Sequence, residues 1–475
     1  MLVITDATVS TLVQHAPYQT GGGEYGGYDL RGILRSMSKY TTVATNPKET
    51  VQGVQLAVKH ATTGRRGPAC VILNDPNALG VLDPAAPPFI YPSQGFLHPA
   101  RTLAPDDLVQ QALDTLAAAQ RPVIIAGNGI HAARAYAELA ELADLLGIPV
   151  ATSYKGKSAF VETHPLALGM LGIYGQPAAN RAVQEADVLL VAGCHLGAAE
   201  TLNETPDLID PARQTIIHLD IEPRNAGWVF PVAQTLIGDA RTLLGQLVGA
   251  ARGRGLTAPA GRREWVAAVK AEAGFFKPPE AASDAVPILP QRLVRTLNQA
   301  VTPDTILTLD AGSNRIWMAH LFQTLQPGTI WCPGGIAGMS WSAGAVLGAK
   351  LAHPERPCVA VTGDGGFAMS LHALSTALQY RLPVTYVVMN DSQLGMVVAG
   401  QGEHRFASEF VDTDFAGIAR AFGCRGVTVQ DAAGLAAAVA EARGADLPTV
   451  IDVRMDPRER YTKVVSPLAQ QRRSY

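Results

Sequence analysis

Two short apolar runs that break into small and acidic residues set the tightest limit on how this chain can fold. The first, Cys358-Val359-Ala360-Val361-Thr362, ends in Gly363-Asp364-Gly365-Gly366-Phe367; the second, Val384-Thr385-Tyr386-Val387-Val388-Met389, ends in Asn390-Asp391-Ser392-Gln393. An apolar run without polar alternation is how a strand buried on both faces of a parallel sheet reads. Residues 368–380 between them are helical in composition, so the stretch is one βαβ unit. Its right-handed crossover brings both strand ends to the same sheet edge.

Ligands of open α/β sheets sit outside the carboxyl ends of the strands, so Asp364 and Asp391 are expected to face one crevice. Two carboxylates there suit a hard cation. Gly363, Gly365 and Gly366 leave backbone N–H groups open to phosphate oxygens, and Mg2+ is usually held by one or two carboxylates plus substrate phosphates. Either piece alone reads equally well as a turn or a loop start. The pair, each following an apolar strand, points to a ligand site.

Gly363-Asp364-Gly365 followed by Asn390-Asp391 resembles the cofactor motif of thiamine diphosphate enzymes, which runs from Gly-Asp-Gly to Asn-Asn. The resemblance implies that Asp364, Asp391 and the backbone carbonyl of Gln393 hold Mg2+ against the cofactor's diphosphate. Asp391 stands where Asn is usual. Oxygen ligation survives that change, but the added charge is expected to tighten metal binding and raise its pH dependence.

At 475 residues the chain is too long for one core, and ~100–200 residues per domain suggests three. Lys and Arg number 38 against 41 Asp and Glu, a balance without the electrostatic footprint of a nucleic-acid or anionic-membrane binder. No apolar run reaches membrane-spanning length and the start lacks a basic segment before an apolar one, so a cytoplasmic protein is the default. Cys70, Cys194, Cys332, Cys358 and Cys424 are scattered, odd in number and without Cys-x-x-Cys spacing. They read as buried thiols rather than metal ligands or disulfides.

In the first domain, residues 1–82, strands are expected over 1–5 and 70–73 and helices over 29–40 and 48–62, before a linker that runs to about residue 104. That is roughly half of a doubly wound domain of ~150 residues. Two strands do not make a stable open sheet, so the chain is expected to begin in mid-domain. Residues 1–75 are similar to the second half of the pyrimidine-binding domain of the acetolactate synthase branch, including the turn Thr63-Gly64-Arg65-Arg66-Gly67-Pro68. In that branch the first half carries the glutamate that protonates the aminopyrimidine ring. No residue here takes its place, and neither Glu24 nor Glu49 is promoted to it.

Residues 105–249 alternate in a Rossmann-like way: helix 107–119, strand 122–126, helix 132–146, strands 148–151, 187–191 and 215–220, with residues 236–239 closing the unit. Gly127-x-Gly129-x-x-Ala132 imitates a dinucleotide fingerprint. The acid expected ~20 residues on is absent, which argues against a nicotinamide cofactor. The unit resembles the family's central domain, which carries FAD in acetolactate synthases. Where a Gly-Ala-Arg-Phe-Asp-Asp-Arg stretch belongs to that site, this chain has Gly193-Cys194-His195-Leu196-Gly197-Ala198-Ala199, which puts FAD in doubt. His195 reads better as structural than as a crevice residue.

A linker over about 250–286, with a helix at 262–273, leads to the third domain, residues 287–460, and a tail, 461–475, that is either mobile or a flap. Two more strand ends break into small polar residues, at Asp310-Ala311-Gly312-Ser313-Asn314 and at Pro333-Gly334-Gly335-Ile336-Ala337-Gly338-Met339. The resemblance implies that Gly312, Ser313 and Asn314 meet the diphosphate, that the Ala337 carbonyl receives the cofactor's exocyclic amine, and that Met339 is the wedge that bends the cofactor. Ser340-Trp341-Ser342-Ala343-Gly344 replaces the usual Gly-Phe-Gly-Leu-Pro, so packing beneath the wedge is expected to differ. Gly395-Met396 match the branch's Leu-Gly-Met. By spacing alone Met339 and Met396 would be core filling. His372 and His404 are open as substrate contacts.

The expected fold is α/β, three doubly wound Rossmann-like parallel-sheet domains, the first incomplete. The resemblance implies a thiamine diphosphate- and Mg2+-dependent, acetolactate synthase-like enzyme that decarboxylates and joins 2-oxo acids such as pyruvate, impaired as given for want of the glutamate. Two alternatives stand beside it: a catalytically silent chain that binds cofactor and pairs with a complete subunit, and one half of a split enzyme. Family sites form between two chains, so a homodimer or homotetramer is expected, with neither nucleic acid nor membrane as partner.

Overall fold

The computed structural model describes residues 1–7, 21–22, 27–74, 77, 80–92, 97 and 102–470. Among them fifteen strands build three sheets in which every pairing is parallel. The chain divides into two compact units, Met1–Thr102 and Leu103–Tyr475.

In the first unit β1 (Leu2–Ala7), β2 (Tyr40–Ala44) and β3 (Ala69–Asn74) lie in the order β1-β3-β2. The sequence predicts two strands and a helix over 29–40; the helix instead stops at Met37 and the chain extends from Tyr40. The reason is local: Tyr-Thr-Thr-Val is aromatic and β-branched, and packs better on a pleated surface than in a helical turn. Helix Pro47–Thr62 is closed at its start by reciprocal hydrogen bonds. Asn46 Oδ1 accepts from Glu49 N at 3.0 Å, and the Glu49 carboxylate accepts from Thr45 N and Oγ1, both at 2.8 Å. Glu49 is thereby engaged as a helix cap. Glu24 lies outside the described residues.

The second unit holds two six-stranded sheets. One comprises β4 (Pro122–Ala126), β5 (Val150–Thr152), β6 (Ala167–Met170), β7 (Val188–Ala192), β8 (Thr215–Asp220) and β9 (Gln234–Ile237), ordered β6-β5-β4-β7-β8-β9. The other comprises β10 (Ile306–Leu309), β11 (Ile330–Trp331), β12 (Cys358–Gly363), β13 (Thr385–Asn390), β14 (Arg425–Val429) and β15 (Thr449–Arg454), ordered β11-β10-β12-β13-β15-β14. In each, the chain builds outward on one side of its first strand and then crosses to the other. The crevices that result, between β4 and β7 and between β10 and β12, are where open α/β sheets take ligands.

Differences from expectation are confined to weak signals. β6, β14 and β15 are unpredicted, and the helix expected over 132–146 is two helices, Asn128–Ala133 and Tyr136–Leu146, parted where Arg134 turns left-handed at φ 52°. One apolar core runs through both sheets, from Ile124 and Leu190 to Trp317 and Val361. A buried ion pair lies at the joint: Lys157 Nζ meets the two Glu162 oxygens at 2.8 and 2.7 Å, and Glu162 Oε2 also accepts from Thr324 N at 2.8 Å. Residues Tyr461–Gln470 are packed rather than a free tail: Tyr461, Val465 and Ala469 are buried, and Ser466 N donates to the Ile173 carbonyl at 2.7 Å. Residues 471–475 lie outside the described residues. Among the described residues no helix is long and apolar enough to cross a membrane. All five cysteines are free thiols, and all but Cys332 are buried.

Candidate cofactor and metal site

The site grows from the β10/β12 crevice. Beyond β10 the chain passes through Asp310 and Ala311, turns at Gly312 with φ 127°, and enters helix Ser313–Leu321. Asp310 is fully buried and accepts three hydrogen bonds, from Ala311 N at 2.9 Å, Thr362 Oγ1 at 2.8 Å and Ser340 N at 2.9 Å. One carboxylate thus ties the end of β10 to the end of β12 and to the segment after Met339. A Cβ on Gly366 would lie 2.4 Å from Asp310 Oδ2, so the absence of a side chain there makes room for this knot.

Asp364 follows β12 and Asp391 follows β13, the adjacent strand. Asp364 is only 4% exposed; its Oδ1 accepts from Gly365 N at 2.6 Å and its Oδ2 from Gln393 N at 3.2 Å. Gln393 also donates its side-chain amide to Asp391 Oδ2 at 3.1 Å and to the Pro457 carbonyl at 2.8 Å. Burial, and after it the charge of Asp391, pushes Asp364 up to about 7; burial pushes Asp391 up to about 6. Among the described residues neither carboxylate forms an ion pair. Two carboxylates held together in low dielectric without a counter-charge are what a divalent cation relieves. Among the described residues no three His, Cys, Asp or Glu side chains gather to hold a metal, so further ligands at this pair would be backbone or ligand oxygens.

Glycines floor the crevice. A Cβ on Gly363 or on Gly312 would meet Asn314 Nδ2 at 3.2 or 3.0 Å, and one on Gly395 would meet Ser313 Oγ at 2.9 Å and Asp391 Oδ2 at 3.7 Å. On Gly365 it would meet Leu394 Cδ2 at 2.9 Å, Met339 Cε at 3.3 Å and Phe410 Cε2 at 3.4 Å. Gly312, Ser313, Asn314, Gly363, Gly365, Asp391, Gly395 and Met339 are therefore brought together. Asn314 Nδ2 donates to the Ala311 carbonyl at 3.2 Å while its Oδ1 is buried without a partner, leaving hydrogen-bonding capacity to spare. A bare backbone cradle and a carboxylate pair without an ion-pair partner fit a diphosphate with its Mg2+.

Ala337 adopts φ 50° and is half-buried, while Met339 and Met396 are 37% and 39% exposed and so are not core filling. His372, His404 and His195 are exposed. Reading the sequence does not single out Asp310 as a knot, nor Leu394 and Phe410 as walls. Phe410 reaches the crevice because its N–H donates to the Ser392 carbonyl at 2.8 Å, a pairing of distant segments that no local pattern announces.

The crevice between β4 and β7 is different. Gly127 N donates to the Ala192 carbonyl and Gly129 N to the Gly193 carbonyl, both at 2.9 Å, and a Cβ on Gly127 would lie 2.2 Å from Gly193 O. The fingerprint-like glycines serve the packing of one turn on another.

Residues 109–247 match the thiamine pyrophosphate enzyme central domain, and residues 310–453 match the thiamine pyrophosphate enzyme C-terminal TPP binding domain. Over 462 residues the chain is 31% identical to a probable acetolactate synthase large subunit of Methanocaldococcus jannaschii, a match covering 93% of this chain and 77% of that one. It is 29% identical over 443 residues to the acetolactate synthase isozyme 3 large subunit of Escherichia coli, covering 90% and 74%. A putative thiamine pyrophosphate-containing protein of Bacillus subtilis, YdaP, is 31% identical over 341 residues, covering 70% and 57%. The first matched span contains one six-stranded sheet, and the second starts just after β10 and contains the carboxylate pair with its glycine floor. On this sequence likeness and this site geometry together, the chain belongs to the thiamine pyrophosphate enzymes, in the branch of the acetolactate synthase large subunits.

Proposed function

We propose that the chain binds thiamine diphosphate with Mg2+ at the rim of β10, β12 and β13 and is a cytoplasmic, acetolactate synthase-like enzyme acting on a 2-oxo acid such as pyruvate. The observation that carries this is the carboxylate pair of buried Asp364 and half-buried Asp391, both bonded to Gln393, over a glycine floor. Asp364, Asp391 and the Gln393 carbonyl hold the metal. Gly312, Ser313, Asn314, Gly363, Gly365 and Gly395 receive the diphosphate, with Gly366 supporting them from beneath. Ala337, Met339 and Met396 meet the rings. When bound, the cofactor supplies the electron sink that lets a 2-oxo acid lose CO2. The protein's share is to orient: Gln393 presents both carboxylates to one cation, while Leu394, Phe410 and Met339 keep water from the crevice floor.

The domain assignment belongs to this proposal: a partial pyrimidine-binding domain over 1–82, a central domain over 105–249 and the diphosphate-binding domain over 287–460. We assign no residue of the first to the activating glutamate: among the described residues Glu49 is a helix cap, and Glu24 lies outside them. The chain on its own is therefore expected to bind cofactor yet decarboxylate pyruvate poorly, as a silent or split subunit would. A homodimer or homotetramer would cover the exposed Ile336, Phe406 and Val411, all more than 80% open.

Titration with thiamine diphosphate at fixed Mg2+, followed by tryptophan fluorescence, tests the first half, and CO2 release from pyruvate the second. Failure of Mg2+-dependent binding overturns the cofactor assignment. Turnover at about 1–1000 per second would overturn the expectation of a chain inactive alone.

A further inference from the structure

We propose that Lys155, at the edge of the central sheet, is a positioning residue for the loop that carries Ala337 and Met339. The inference rests on the cofactor assignment above and extends it to a residue outside the diphosphate-binding sheet.

Lys155 follows β5 in the 3-10 turn Tyr154–Gly156, which is held by Ser153 Oγ accepting from Gly156 N at 3.0 Å. Its ammonium donates to the carbonyl of Cys332 at 3.2 Å, across 177 positions of sequence. Its stem lies against Gly334, where a Cβ would come 2.8 Å from both Lys155 Cδ and Nζ. Among the described residues no carboxylate pairs with this lysine, so its half-buried charge is spent on the loop. Arg315 reinforces the same point: its Nη1 donates to the next carbonyl, Pro333, at 3.3 Å, and its guanidinium stands 4.9 Å from the centre of the Tyr154 ring. At the far end Ser340 N is held by Asp310 at 2.9 Å.

Between these anchors the loop has little to keep its shape. Gly334, Gly335 and Gly338 interrupt it, a Cβ on Gly335 or Gly338 would touch nothing within 4 Å, and Ile336 is 94% exposed. Ala337 and Ser340 sit at φ 50° and 77°, conformations that non-glycine residues adopt only when their surroundings hold them there. Two cations at one root and a carboxylate at the other are those surroundings. Hydrogen bonds from a charged donor are the stronger kind, so the lysine is suited to fix this root from a neighbouring sheet.

Two probes separate the loop from the diphosphate grip: thiamine diphosphate, which spans both, and inorganic pyrophosphate, which reaches the grip alone. With Mg2+ saturating, Lys155→Met is expected to bind thiamine diphosphate about ten-fold or more weakly, the size of one charged hydrogen bond. Its affinity for pyrophosphate should change less than about two-fold, and Lys155→Arg should recover most of the loss. Gly334→Ala, which crowds the lysine stem but keeps the charge, should reproduce the selective loss, and it serves as the test should the lysine variant fail to fold. Equal weakening of both probes, or of neither, overturns the positioning role. Wild-type protein that binds neither probe overturns the cofactor assignment and this inference with it.

Discussion

Gln393 joins Asp364 to Asp391, its backbone N–H donating to the first carboxylate at 3.2 Å and its side-chain amide to the second at 3.1 Å. Substituting Gln393→Ala keeps the carbonyl proposed as metal ligand and removes the donor that orients Asp391. Mg2+-dependent binding of thiamine diphosphate is expected to weaken about ten-fold, the range for a partner behind the ligands. Asp391→Asn restores the usual residue and should keep binding at lower Mg2+ affinity, because the ligand charge falls. Asp364→Asn should abolish it. Calorimetric titration of the three variants orders them.

Adjacent glycines separate stability from binding. Gly366→Ala drives a methyl to 2.4 Å from Asp310 Oδ2 and 3.0 Å from Thr362 Oγ1, inside a fully hydrogen-bonded knot. It should cost about 1–3 kcal/mol in urea unfolding. Gly365→Ala has Leu394, Met339 and Phe410 as its nearest neighbours, at 2.9 to 3.4 Å. It should leave the unfolding free energy in urea within about 0.5 kcal/mol of wild type while reducing cofactor affinity by narrowing the crevice.

Lys157 and Glu162 are 2% and 1% exposed. Lys157→Met leaves the Glu162 carboxylate buried with only the Thr324 N–H and is expected to cost about 3–5 kcal/mol. Adding Glu162→Leu should recover much of that loss, because the stranded charge is then removed as well. A double-mutant cycle in denaturant measures the coupling.

His131 sets a pH dependence of stability. Its Nε2 lies 2.9 Å from the Lys157 carbonyl and its Nδ1 2.9 Å from the Tyr136 hydroxyl, so the neutral ring donates to the first and accepts from the second. Burial pushes its pKa down to about 4. The folded state therefore disfavours the proton that the unfolded chain accepts near 6.5. This contribution is complete above about 6.5 and is lost as pH falls toward 4, up to about 3 kcal/mol at 1.36 kcal/mol per unit. Comparing wild type with His131→Gln isolates it, since the buried carboxylates are common to both. The stability advantage of wild type should shrink by that amount between pH 7 and pH 4.

Strands buried on both faces were legible because their signal is local and strong: β12 and β13 read as unbroken apolar runs and appear within a residue or two of the expected places. β14 was not, since its mostly open residues from Arg425 to Val429 look like loop until β15 lies beside them. Tyr40–Ala44 was hidden by a neighbouring helical pattern, and the break at Arg134 by the absence of glycine or proline where the chain turns left-handed.

What composition and spacing settled was the parallel α/β architecture and the meeting of two carboxylates, because crossover handedness and strand register leave their ends at one rim. Three-dimensional packing was needed for the rest. Gly365 faces the crevice and Gly366 faces Asp310, though no feature of the sequence tells the neighbours apart. Lys155 reaches the carbonyl of Cys332, and the Gly127 turn is filled by Gly193, through contacts between segments far apart in the chain. Direction of approach is a property of how two surfaces close, and a linear pattern carries periodicity but no orientation between distant segments.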